Sequence, residues 1–228
     1  MGESMLAEKI EDWENNLPAF IRLAYLPSFG TVRLRLSAKG ATNEMLEKAV
    51  SLEMEKLVKL IPEIIVGFEE NETIEMAIGQ LLTEKKQTLA LAESCTGGNI
   101  AKMITSIAGA SNYFVGGIVA YSKMVKMMEL HVSEKTIAEN SVVSAQTAEA
   151  MAKGIQQKYQ TDYAVATTGN AGPTADETDK TVGTVFIAIA TPTAVFSEEF
   201  FFGKPREKVI ARASNKALEL LRKEILKN

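Results

Sequence analysis

In the stretch TLALAESCTGGNIAKMITSIAG, residues 88–109, a serine and a cysteine stand side by side at the end of a short apolar run, and two glycines precede a helical pattern. Ser94 and Cys95 are both candidate nucleophiles, and a nucleophile of either kind needs a base. The sole histidine, His131, follows an apolar helix in ELHVS, where a surface or core place suits it better than a triad. A lysine is the other possible base. With its pKa brought from about 10.4 to about 7–8 by burial and nearby positive charge, a neutral amine takes up a hydroxyl proton. Lys102, Lys123, Lys126 and Lys180 are the candidates, and each taken alone reads as a solvated surface residue. Thr96, ahead of Gly97 and Gly98, fits a helix N-cap, which leaves Ser94 as the hydroxyl with no structural task. Glycines there let backbone approach a ligand, and N–H groups at a helix start favour an anion or a developing oxyanion.

The elements that must position these groups follow two grammars. Over residues 1–70, Val32, Leu34 and Leu36 alternate with Arg33 and Arg35, which predicts a half-buried antiparallel strand. A helix is expected next, capped by Asn43, with Leu46, Ala49, Val50, Met54, Leu57, Val58 and Ile61 inward and Pro62 at its end. EIIVGF, residues 63–68, reads as a further strand of a small α+β unit with no cluster of His, Cys or paired acids. Over residues 71–228, helices and strands alternate. Strands are expected at TLALA, VGGIVAY, DYAVATT, VGTVFIAIA and AVFSEEFFF, the last two joined as an antiparallel hairpin. The helices expected between them include one at 122–130, one capped by Ser144 and one beginning near Pro205. This alternation predicts a three-layer α/β/α sandwich around a mixed, mostly parallel sheet. Ligands in such sheets bind beyond the strand carboxyl ends, where ESCTGG, YSKMVK and TTGNAGPTADETDK form three loops.

Composition narrows the function classes. The 228 residues carry 25 Lys and Arg against 29 Asp and Glu, a net charge of −4, with the basic residues scattered, which argues against nucleic acid or a membrane surface as partner. No apolar run approaches the roughly 18 residues of a membrane span, and the acidic N-terminus is the opposite of a signal peptide. A lone cysteine points to a reducing cytoplasm. Asp176, Glu177 and Asp179 are a weak metal candidate beside the simpler reading of a solvated acidic turn, and no metal or cofactor is expected.

Five ordered motifs carry a family resemblance: LALAESCTGGNIAKMITSIAGASNYFVGGIVAYSKMVK, VVSAQTAEAMAKG, DYAVATTGNAGP, VGTVFIAIA and PREKVIARASNKALELL. Together, over about residues 74–226, they resemble the C-terminal domain of the CinA (competence/damage-inducible) family. Residues 1–70, with WENNLPAFIRLAYLPSFGTVRLRLSAKG, resemble the family's KH-type linker domain. Long members carry a molybdopterin-binding-like pyrophosphatase domain before it, so the chain is expected to be a fragment beginning at an introduced MGES or a naturally short form.

The resemblance implies a serine/lysine amidohydrolase that converts nicotinamide mononucleotide to nicotinate mononucleotide and ammonia without a metal, acting as a homodimer. By motif position Ser94 becomes the nucleophile, Lys126 the base and Tyr121 a partner that orients or polarises the pair. Thr96, Gly97 and Gly98 would supply backbone donors, and Thr168, Gly169, Asn170, Ala171 and Gly172 would line the substrate pocket. Arg206 would grip the phosphate. The chain departs from the family pattern at Asn170, where Ile is common, at TADET in place of a glycine pair, at Lys180-Thr181 in place of Lys-Pro, and at GKPRE in place of Gly-Asp-Arg. These departures bear on the substrate loop more than on the Ser-Lys chemistry. The reading from another class is a non-catalytic nucleotide-binding or assembly module, in which SCTGG only cradles phosphate.

Overall fold

The computed structural model describes residues 2–28, 31–62, 64–68, 72–175 and 180–227. The chain divides into two compact units, Met1–Phe68 and Glu69–Asn228.

The first unit comprises helix α1 (Glu3–Asn15), strands β1 (Ile21–Ser28) and β2 (Thr31–Ala38), and helix α2 (Asn43–Leu60). Helix α1 was not expected from the acidic N-terminus, yet Leu6, Ile10 and Trp13 recur at helical spacing and are buried, while Glu3, Glu8, Glu11 and Asp12 are exposed and the half-buried Glu14 accepts from the Tyr25 hydroxyl. Strand β2 alternates as anticipated and pairs antiparallel with β1, Ile21 opposite Ala38. On α2 the buried positions are Leu57 and, against the pattern, Glu53, whose carboxylate accepts from Lys56 Nζ at 2.7 Å. Thr42, not Asn43, occupies the N-cap position, with no side-chain cap bond. Of the strand expected at 63–68, the described residues 64–68 form none: Ile64 and Ile65 donate back to the Ile61 carbonyl in a turn, and both pack on the core of Leu6, Ile10, Trp13, Leu57 and Ile61.

The second unit holds α3 (Ile74–Lys85), β3 (Leu89–Glu93), α4 (Asn99–Thr105), β4 (Phe114–Val119) and α5 (Lys123–Leu130). It continues with α6 (Glu134–Asn140), α7 (Ala145–Tyr159), β5 (Tyr163–Gly169), β6 (Thr184–Ala190), β7 (Val195–Phe201) and α8 (Arg206–Lys227). The sheet order is β4-β3-β5-β6-β7. Strand β3 lies parallel to β4 and to β5, and β6 is antiparallel to both β5 and β7, so that it alone runs opposite to the other four.

Its two faces are built from different residues. Leu89, Leu91, Val165, Val185, Ile187 and Ile189 point toward α3, α4 and α8, whereas Ala90, Ala92, Ala164, Ala166, Ala188 and Ala190 point toward α5, α6 and α7. The small residues let α7 lie close to the sheet, and Gly154 lets α5 lie close to α7: a Cβ there would stand 2.0 Å from the Leu130 carbonyl oxygen. The helix that follows β3 covers one face and the helices that follow β4 cover the other. Between those diverging connections lies the crevice at which open α/β sheets gather ligands.

Candidate active site

Strand β3 ends at Glu93, and the loop 94–98 carries the chain into α4. Gly97 and Gly98 both have positive φ, 62° and 93°, so two consecutive left-handed residues turn the loop where a side chain would strain it. Ser94 lies at the start of this loop, 8% exposed, its N–H donated to the Thr167 carbonyl at the end of the neighbouring strand β5 at 3.0 Å.

Helix α5 supplies the other half of the site. Ser122 caps it, its hydroxyl accepting from Val125 N, and Lys126 sits in the first turn facing inward. Its Nζ is 2.8 Å from Ser94 Oγ, 2.7 Å from the Ala120 carbonyl oxygen and 3.4 Å from the Tyr121 carbonyl oxygen. Lys126 is 2% exposed, while Lys102 and Lys123 are exposed and Lys180 pairs with Glu199 at 3.5 Å over the Phe186 ring. Of the four lysines considered from sequence, the fold brings Lys126 alone to the serine. His131 is exposed and ends α5 in a left-handed conformation, φ 55°.

The neighbouring cysteine is a poor nucleophile. Burial pushes the Cys95 thiol up to about 12, against the pull of a Thr167 hydrogen bond and the Lys126 charge, so at neutral pH it stays protonated.

Several expected contacts are differently arranged. Thr96 does not cap α4: its hydroxyl shares a 2.8 Å hydrogen bond with the Thr167 hydroxyl, and the cap is the Glu93 carboxylate. The N–H groups of Gly97 and Gly98 do not face a ligand, because Gly97 donates to the Ser94 carbonyl at 3.1 Å and Gly98 to Glu93 Oε2 at 3.0 Å. The Tyr121 phenol turns from the lysine toward Arg206, whose Nη2 donates to it at 3.2 Å while Nη1 donates to the Gly172 carbonyl at 2.8 Å. Arg206 thereby ties together the loop after β4, the loop after β5 and the start of α8, with Tyr121 61% exposed above them.

At the end of β5 and the start of the loop after it, residues 168, 170 and 171 turn their side chains into the protein, while residues 173–175 are exposed. Thr168 donates to the Val142 carbonyl at 2.6 Å, Asn170 Nδ2 to the Lys180 carbonyl at 2.9 Å, and Ala171 belongs to the core. Gly169 has no room for a Cβ, which would lie 2.6 Å from the Thr184 carbonyl oxygen, and Gly172 has φ 89°. Asp176, Glu177 and Asp179 lie outside the described residues. Among those described, no group of three or more His, Cys, Asp or Glu could hold a metal ion, and no helix is long and apolar enough to cross a membrane.

Glu93 and Thr167 are the residues that sequence reading missed. The first looked like the end of an apolar run and the second like one more buried strand residue.

Comparison with known proteins covers both units. Residues 71–225 match the model of the CinA C-terminal domain, and residues 1–67 match that of the damage-inducible protein CinA KH domain. A CinA-like protein of Flavobacterium psychrophilum is 59% identical over 228 residues, and one of Cytophaga hutchinsonii is 37% identical over 225. The chain spans about half of these relatives, 54% of each. Among solved structures, a competence-damaged protein (CinA) superfamily protein of Klebsiella pneumoniae superposes with a TM-score of 0.66 at 29% identity, covering 68% of this chain and 97% of its own. The competence/damage inducible protein CihA of Agrobacterium tumefaciens gives 0.63 at 35% identity, covering 65% and 91%.

Proposed function

The chain belongs to the CinA family, and from that membership we propose that its second unit is a cytoplasmic serine/lysine amidohydrolase acting on the carboxamide of nicotinamide mononucleotide. The observation that carries the reading is the buried Lys126 amine 2.8 Å from Ser94 Oγ. A neutral amine has two N–H groups and one lone pair. The nitrogen donates to the Ala120 and Tyr121 carbonyls at 2.7 and 3.4 Å and to Ser94 Oγ at 2.8 Å; once it has lost a proton, its lone pair can accept from the serine hydroxyl instead.

Burial favours the neutral form that a base requires. In this mechanism Lys126 takes the proton from Ser94 Oγ as the oxygen attacks the carboxamide carbon, giving a tetrahedral oxyanion. The lysine returns that proton to the departing nitrogen, ammonia leaves, and an ester to Ser94 remains. Water, deprotonated by the same lysine, attacks the ester carbon; the C–Oγ bond breaks, the lysine passes the proton to the departing Ser94 Oγ, and nicotinate mononucleotide is released with serine and neutral lysine restored. Arg206, already bridging two site loops, offers its remaining donor surface to the phosphate. A pure phosphate cradle would give no work to an amine buried against a serine.

An ammonia-release assay tests the reading, with free nicotinamide and nicotinate mononucleotide as controls. Release from the nucleotide that survives a chelator is the expected result. No release from nicotinamide mononucleotide would overturn it.

A further inference from the structure

Ser94 follows directly on a buried carboxylate that the proposed chemistry does not use. Glu93 is 1% exposed. Its Oε2 accepts from Gly98 N at 3.0 Å and Ile100 N at 3.1 Å, and its Oε1 accepts from Ala101 N at 2.8 Å. An ordinary cap would sit at residue 98 itself, but that residue is a left-handed glycine with no side chain to offer. The cap therefore comes from five residues earlier and closes the loop 94–97 into a ring.

The consequence appears in the backbone donors. Gly97 donates to the Ser94 carbonyl, Asn99 to the Thr96 carbonyl and Lys102 to the Gly98 carbonyl, while Glu93 takes the three donors between. Ser94 N goes to Thr167. Among the described residues, Cys95 and Thr96 are left as the positions in this loop whose N–H groups bond to no other residue. They follow the nucleophile immediately, and the N–H after a nucleophile is a common oxyanion donor.

Resting on the Ser94–Lys126 reading above, we infer that Glu93 is a positioning residue: it holds the serine loop closed, commits the start of α4 so that no anion binds there, and leaves the Cys95 and Thr96 N–H groups for the oxyanion. Its negative charge also bears on the base. Glu93 adjoins Ser94 in the chain, and Lys126 Nζ lies 2.8 Å from Ser94 Oγ. The other ionisable groups on elements around Lys126 lie nearer solvent. They are Lys123, Glu129 and His131 on or ending α5, Glu149, Lys153, Lys158 and Tyr159 on α7, and Tyr121 with Arg206. Glu129 is paired with Lys158, and Glu149 accepts from Ser197.

The test reads Ser94 directly, without relying on the substrate assignment. Full-length wild type, Glu93→Gln and Glu93→Asp are treated with a fluorophosphonate, and the rate of Ser94 modification is followed by mass spectrometry from pH 6 to pH 10. Aspartate keeps the charge but is too short to reach three N–H groups, so its rate should fall on the order of tenfold or more with an unchanged pH midpoint. Glutamine keeps the length and loses the charge. A nearby negative charge favours the protonated lysine, so its removal should move the midpoint to lower pH. Rates and midpoints like wild type in both variants would overturn the inference, and so would loss of fold in both by circular dichroism, which would reduce Glu93 to a structural cap. Wild type that labels at Ser94 yet releases no ammonia from the nucleotide would instead reject the substrate while leaving the positioning role standing.

Discussion

At the scale of single residues, the doublet at 94–95 separates two chemistries by environment alone. Ser94 meets a buried amine, whereas the Cys95 thiol is held up to about 12 by burial. Ser94→Ala should lower kcat for ammonia release by on the order of a thousandfold or more, and Cys95→Ala should retain most of it; steady-state kinetics on both variants check this, and the reverse ranking would make the enzyme a thiol hydrolase. The same thiol predicts an alkaline signature. A folded pKa above the unfolded value of 9.0 means that the native state holds its proton longer, so this contribution to stability is complete below pH 9 and is lost as pH rises toward about 12. Thermal melts from pH 8 to pH 11 should therefore fall less steeply for Cys95→Ala than for wild type; identical slopes would contradict the burial argument. The serine and its lysine were legible in the sequence because their types are chemically unusual in those loops. Glu93 was not, since its partners are backbone N–H groups whose convergence exists only after Gly97 and Gly98 turn the chain.

At the scale of elements, Lys126, the proposed base, is carried by a helix only eight residues long, whose place depends on its neighbour. Helix α5 meets α7 where Gly154 opposes the Leu130 carbonyl, and a Cβ at 2.0 Å cannot be absorbed without moving one helix. Gly154→Ala should cost about 1–3 kcal/mol through overpacking. It should also cut kcat by about a hundredfold, since a shift of about 1 Å in a catalytic group has effects of that size. A melt and a kcat measured together decide it: full activity at a lowered melting temperature would show that α5 does not transmit the shift. The pattern made the central strands of the second unit legible, because β3, β5 and β6 are buried, mostly apolar runs bounded by loops, while β4 and β7 are only partly buried. It did not separate the two faces, although alternating Ala against Leu or Val in β3 and β5 was visible and marks the side where α7 approaches closely. It failed at residues 64–68, where two isoleucines following a helix end pack locally instead of pairing, and at α1, where abundant carboxylates hid a three-residue apolar stripe. Short α6 also escaped, because one buried position, Ile137, gives no period to read.

At the scale of the whole chain, every group named in the candidate chemistry lies in Glu69–Asn228, and Met1–Phe68 contributes none. The second unit owns both large apolar clusters and the whole five-stranded sheet. Among the described residues the first has a two-stranded sheet and a cluster of five buried apolar side chains, a size at which independent stability is marginal. Solved relatives point the same way: the Klebsiella pneumoniae protein aligns over 97% of its own length with only 68% of this chain, so a protein of that fold stands without a counterpart to the remainder. A chain beginning near Asn71 should therefore express in soluble form, melt cooperatively, and release ammonia from nicotinamide mononucleotide with a kcat within about threefold of the full chain, a difference under about 1 kcal/mol in barrier. Light scattering on both chains reports whether subunit association follows the second unit or requires the first, and so separates loss of assembly from loss of chemistry. A fragment that folds, keeps the mass expected from the full chain's assembly state, and is nevertheless inactive would mean that residues 1–68 complete the site. The division of labour drawn from the contacts would then have to be abandoned in favour of a catalytic centre shared by both units.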